Sequence, residues 1–116
     1  SYTYGINIST DYLRPIMTVD DSTSGYICYR LSDIPKVEKK FNCKIPILTD
    51  TWYPSNNSQY LVFKMNGTSY FPNLLHGDRA NVLFYDGHVQ RCNRQYFRGE
   101  MKCLSAYVNG VRYDVL

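Results

Sequence analysis

The stretch Val82-Leu83-Phe84-Tyr85-Asp86-Gly87-His88-Val89-Gln90-Arg91 decides the fold. Strand-forming residues flank Asp86-Gly87, and an Asp-Gly or Asn-Gly dipeptide between such runs is the strongest short-range signal for a β-hairpin. Gly takes up positive φ readily, and the Asp carboxylate can hydrogen-bond the local backbone. A two-residue type I′ closure pairs Tyr85 with His88 and Phe84 with Val89. It puts Val82, Phe84, Val89 and Arg91 on one face and Leu83, Tyr85, His88 and Gln90 on the other.

Working outward, Asn66-Gly67 and Asn109-Gly110 carry the same signal. They predict hairpins joining residues 60–65 to 68–71 and 105–108 to 111–115. Residues 32–41 read as a short helix, with Ser32 as cap, Pro35 in the first turn, and Ile34, Val37 and Phe41 at helical spacing. Residues 44–49 read as a strand ending at Asp50, residues 51–58 as a loop around Pro54, Asn56 and Asn57, and residues 71–80 as irregular. Tyr2, Tyr4, Ile6 and Ile8 alternate as in a strand. The expected fold class is α+β: an antiparallel β-sheet of hairpins with a short helix, in one domain covering residues 1–116.

A chain of 116 residues suits one core, with a radius of gyration of roughly 13 Å. Hydrophobic residues make 44% and charged residues 20% of it, which excludes general disorder. Twelve Tyr, five Phe and one Trp make it unusually aromatic, favouring β structure and contact surfaces. The formal charge of +3 is small and its basic residues are interleaved with acidic ones, so nucleic-acid binding is not demanded. Lys36, Lys39, Lys40 and Lys44, and later Arg91, Arg94, Arg98 and Lys102, read as solvated faces.

Cys28, Cys43, Cys92 and Cys103 are even in number and contain no Cys-x-x-Cys pair, which argues against a zinc ribbon or a thioredoxin-like site. Three disulfide connectivities are possible, and Cys28 with Cys43 and Cys92 with Cys103 close the shortest loops. Oxidised cysteines would imply an oxidising compartment; the competing reading is four small buried thiols. Asn7, Asn56 and Asn66 begin Asn-x-Ser/Thr sequons that could carry glycans in a secreted eukaryotic protein.

His76 is followed after nine residues by Asp86-Gly87, in the string His-Gly-Asp-Arg-Ala-Asn-Val-Leu-Phe-Tyr-Asp-Gly-His-Val. This resembles the prepilin-type processing-associated H-X9-DG domain of bacterial pilin-like and type II secretion pseudopilin-like proteins. The specific match covers residues 76–89. Ser1-Tyr2-Thr3-Tyr4-Gly5-Ile6-Asn7 loosely echoes a Ser-Tyr-x-x-Asn opening of that family, and residues 45–50 echo its apolar strand ending in Asp.

The resemblance implies a prepilin leader and a long apolar helix upstream of Ser1, and the abrupt start without Met suggests a trimmed segment. It also implies a non-catalytic assembly subunit whose partners are other pilin-like subunits, a prepilin peptidase and, through the helix, the inner membrane. The domain itself would lie in the periplasm or at the cell surface. Loss of the helix should expose apolar surface.

His76, Asp86 and His88, with Asp50 or Asp78, are residue types that bind divalent metals or do acid-base work. Turn chemistry accounts for Asp86 and Gly87, so His76, Asp86, Gly87 and His88 read first as a structural clasp. Calcium would draw on Asp50, Asp78 and Asp86, although no EF-hand spacing occurs. No Gly-rich phosphate loop, Gly-x-Ser-x-Gly elbow or His-Glu-x-x-His occurs. The alternative to an assembly subunit is a surface-displayed binding module for polysaccharide or DNA, with Trp52 and Tyr53 able to stack on a sugar ring.

Overall fold

A computed structural model describes residues 4–19, 27–67, 69–75, 77–114 and 116. His76, Tyr2 and Thr68 therefore lie outside the described residues. The strands are β1 (Gly5–Asn7), β2 (Thr18–Val19), β3 (Ile27–Cys28), β4 (Leu48–Thr49), β5 (Thr51–Trp52), β6 (Val62–Phe63), β7 (Phe71–Leu74), β8 (Arg79–Leu83), β9 (Val89–Asn93), β10 (Ala106–Val108) and β11 (Val111–Tyr113). The α-helices are α1 (Thr10–Leu13), α2 (Ile34–Phe41) and α3 (Arg94–Gly99).

The strands form a five-stranded sheet in the order β6-β1-β4-β8-β9, a four-stranded sheet in the order β11-β10-β7-β5, and the β2-β3 pair. The class is α+β, but the larger sheets are mixed rather than purely antiparallel: β1 runs parallel to β6, and β7 runs parallel to β10. Hairpin signals report only neighbours in sequence. Strands brought together by long connections carry no such mark.

Buried side chains from both large sheets and all three helices meet in one cluster. It includes Leu13, Ile34, Val37, Phe63, Leu74, Val82, Phe97 and Val108. The radius of gyration is 13.5 Å, and no helix among the described residues is long and apolar enough to cross a membrane.

The hairpin at Asp86-Gly87 forms, with a different closure from the expected one. Leu83 pairs with Val89 and Val82 with Gln90. Phe84 N–H donates to His88 O at 3.0 Å, and Gly87 N–H donates to Phe84 O at 3.0 Å. The loop is thus the three residues Tyr85-Asp86-Gly87, within a four-residue turn over Phe84-Tyr85-Asp86-Gly87 whose last residue, Gly87, has φ +89° and forms the bulge. The extra loop residue slips β9 by one position and reverses its faces. Val89 is 67% exposed instead of lying beside Phe84, and His88 takes that place, its ring stacked on Phe84 at 4.7 Å.

Asn109-Gly110 behaves as expected: both residues have positive φ, at +50° and +78°, and Val108 pairs with Val111 across a type I′ turn. Among the described residues, the strands on either side of Asn66-Gly67 do not pair with each other, although Lys64 N–H donates to Tyr70 O at 3.3 Å. Those strands go to other partners, β6 to β1 and β7 to β5 and β10. Asn66 works through its side chain, donating to Tyr12 Oη at 3.0 Å and accepting from Leu104 N–H at 2.8 Å.

The expected helix is present from Ile34 to Phe41. Ser32 lies in the 3-10 turn before it, and Asn42 ends it at φ +50°. The expected strand at 44–49 shortens to Leu48–Thr49, and part of the 51–58 loop is β5. Phe71–Leu74, expected to be irregular, is a wholly buried strand between β5 and β10. Pro72 lacks an N–H and disguised it. α3 was not anticipated; its signal was Asn93, which caps it by accepting from Tyr96 N–H at 2.9 Å.

Candidate functional site

Within the hairpin turn, Asp86 and His88 contact each other. Asp86 Oδ1 accepts from His88 N–H at 3.1 Å and lies 2.6 Å from His88 Nδ1. The His88 backbone N–H, then its ring, holds the Asp86 carboxyl below the usual carboxylate range. Both side chains are about half exposed, at 53% for Asp86 and 52% for His88. The His88 ring is therefore fixed between a carboxylate and the face of Phe84, and Gly87 supplies the backbone conformation. Turn chemistry and packing account for all three residues, while His76 lies outside the described residues.

The proposed calcium ligands stand apart. Asp50 is buried between β4 and β5, Asp86 is in the exposed turn, and Asp78, at φ +62°, accepts from Asn109 Nδ2. Among the described residues no group of three His, Cys, Asp or Glu side chains is gathered closely enough to hold a metal ion.

Cys43, Cys92 and Cys103 are buried as thiols. Cys103 Sγ donates to Met65 O at 2.8 Å, and Cys92 Sγ approaches Gln90 O at 3.7 Å, so each is turned to a carbonyl. Burial pushes the Cys92 and Cys103 thiols up to about 12. The Cys43 thiol is raised by burial first and then by Glu38. Cys28 is exposed on β3.

The sequon residue Asn7 is fully buried. Its Nδ2 donates to Pro46 O at 2.8 Å, and its Oδ1 accepts from Ser9 N–H at 2.9 Å and Ser9 Oγ–H at 2.5 Å. Ser9 Oγ in turn accepts from Met65 N–H at 2.8 Å. Asn7 is a core polar link, closed to a glycan in the folded chain.

The basic residues are partly engaged. Lys36 reaches Asp33 at 3.4 Å, and Arg94 lies over the Tyr113 ring at 4.1 Å while its Nε donates to Leu116 O at 3.3 Å.

Two sheet faces remain that packing alone does not explain. On the outer face of the five-stranded sheet, strand register aligns Val62, Ile6, Leu48, Leu83 and Val89 in one row across β6, β1, β4, β8 and β9. A shallow cavity of about 220 Å³ lies along it, bounded by Tyr4, Leu48, Asn81, Leu83 and Val89.

On the four-stranded sheet, register puts Arg112, Tyr107, Asn73 with Phe71, and Trp52 on the face turned away from Leu74 and Val108. Phe71 is buried beneath Tyr107 and the Arg112 guanidinium, at 5.4 and 4.9 Å. Trp52 and Tyr53, adjacent in sequence, separate. Trp52 joins Tyr107, and Tyr53 packs with Tyr60 and Tyr70 at 4.9 and 5.0 Å. Asn73 is 2% exposed, and its Oδ1 has no hydrogen-bond partner among the described residues. Such a group costs about 1–3 kcal/mol.

No protein family, no curated protein and no solved structure matches this chain.

Proposed function

We propose that this domain is a structural subunit of a pilin-like or pseudopilin-like assembly, displayed outside the cytoplasm and without catalytic activity. The observation that carries the reading is the apolar row on the outer face of the five-stranded sheet. Val89 is 67% exposed, Ile6 45% and Tyr4 47%, and they adjoin Leu48, Leu83 and Val62. Scattered exposed apolar residues need no explanation, but a row crossing every strand of a sheet marks a surface built to be covered. At ~4.8 Å per strand the row spans roughly 19 Å. That accommodates an α-helix of ~10 Å diameter.

In a subunit of the H-X9-DG kind, the helix preceding the globular domain packs on the sheet, and the clasp at Asp86-Gly87-His88 braces the hairpin at the sheet's edge. Partners in this reading are further pilin-like subunits, with a prepilin peptidase acting on the leader and the helix held in the inner membrane.

The codons upstream of Ser1 test it directly. They are expected to encode a leader ending in Gly or Ala, then Phe or Met, then about 20 apolar residues. A conventional cleavable signal peptide directly preceding Ser1 would overturn the reading.

A further inference from the structure

The outer face of the four-stranded sheet is a second surface, and the inference drawn from it does not rest on the assembly reading. Trp52 and Tyr107 stand half-buried there, their ring centroids 6.4 Å apart and their planes tilted by 47°. Rings so close and so inclined make a bent platform rather than a slot, so an occupant lies across them by one of its faces. Beside the platform is a cavity of about 400 Å³ that Pro54, Asn57, Leu75 and Gly110 help to line. That volume falls in the ~300–1,000 Å³ range of ligand sites. Asn73 also lines it, on the strand between those that carry the two rings.

The Asn73 amide is the informative group. It is nine-tenths or more buried and its Oδ1 is unsatisfied among the described residues, which protein interiors rarely tolerate without a reason. Oxygen and nitrogen of an Asn amide exchange places by a terminal flip, so the group can present an acceptor or a donor to an occupant.

None of the seven lining residues carries a formal charge. The nearby Arg112 guanidinium is already over Phe71. An anionic occupant therefore finds no cation in the cavity.

The geometry points to a docking site for an uncharged saccharide. The C–H face of a pyranose lies on Trp52 and Tyr107, and its hydroxyls bond the amides of Asn73 and Asn57. A nucleic acid could also stack on the rings, but its phosphates need cations that the cavity lacks.

Trp52 is the only tryptophan of the chain, so its fluorescence reports the site alone. Titration of the 116-residue chain with cellohexaose, hexa-N-acetylchitohexaose and mannohexaose is expected to give a saturable change with at least one of them. Calorimetry on the variants should show affinity lower by about tenfold for Trp52→Ala and for Tyr107→Ala, and by about threefold or more for Asn73→Ala.

Asn73→Ala should at the same time leave the unfolding midpoint unchanged or raised, as it removes an unsatisfied buried group. A merely structural Asn73 would lower it. If Asn73→Ala does not fold, Asn57→Ala in the exposed turn takes its place, with affinity again expected to fall. Raising NaCl tenfold should leave affinity unchanged.

The inference is overturned if none of the three hexasaccharides gives a saturable change, if the two aromatic variants bind as tightly as the parent chain, or if binding weakens with salt as phosphate contacts do.

Discussion

Cys103 shows how far a residue's chemistry depends on what surrounds it. Its thiol is fully buried, donates to Met65 O and is pushed up to about 12 by burial. Cys92 is pushed up to a similar value by the same cause. A thiol reacts through its thiolate, so both are inert at neutral pH. Iodoacetamide at pH 8 is expected to leave Cys92 and Cys103 unmodified in the native chain and to alkylate both in guanidinium without reductant, as mass spectrometry would record. Persistent protection in guanidinium would mean a disulfide and would restore the pairing that cysteine spacing suggested. Asn7 makes the same point with a different residue type. Its sequon reads as a glycan acceptor, yet its amide joins Pro46 and Ser9 inside the core.

At the scale of elements, two glycines do opposite jobs. Gly87, at φ +89°, has no atom within 4 Å of where a Cβ would stand, so its requirement is conformational. Gly5 on β1 has an ordinary backbone, but a Cβ there would come 2.3 Å from Thr51 Cγ2 and 3.0 Å from Tyr60 O. Gly87→Ala is expected to cost about 1–2 kcal/mol from left-handed strain alone. Gly5→Ala should cost more, about 2–3 kcal/mol, because β1 must shift within the sheet. Urea unfolding midpoints at unchanged slope would measure both, and equal losses would contradict the distinction. The dipeptide at 86–87 was legible as a turn. Its closure was not, since a two-residue and a three-residue loop use the same Asp-Gly signal and differ only in how β9 then packs.

For the whole molecule, what remains open is the apolar row on the five-stranded sheet. If the row is built to be covered, as proposed, the 116-residue chain should self-associate through it. Val89→Asp is expected to abolish concentration-dependent association in sedimentation velocity while changing stability by no more than about 0.5 kcal/mol, because Val89 is 67% exposed. A parent chain that stays monomeric at every concentration reached would count against a face built for covering. The row itself could not be read along the chain. Its members at positions 6, 48, 62, 83 and 89 come together only through strand order. Asn73 and Tyr107 likewise meet across the parallel β7 and β10.

Local chemistry was settled by the order of residues: the Asp86-Gly87 and Asn109-Gly110 turns, the helix over Ile34–Phe41 with Pro35 in its first turn, and the α+β class. Each depends on backbone preferences and periodicities acting over a few neighbours. Tertiary structure alone decided the parallel pairings, the one-residue slip that set His88 against Phe84 and turned Val89 outward, the burial of Asn7, Cys43, Cys92 and Cys103, and the division of Trp52 from Tyr53. Those depend on which distant strand lies alongside, and a strand's side chains change face with a single step of register.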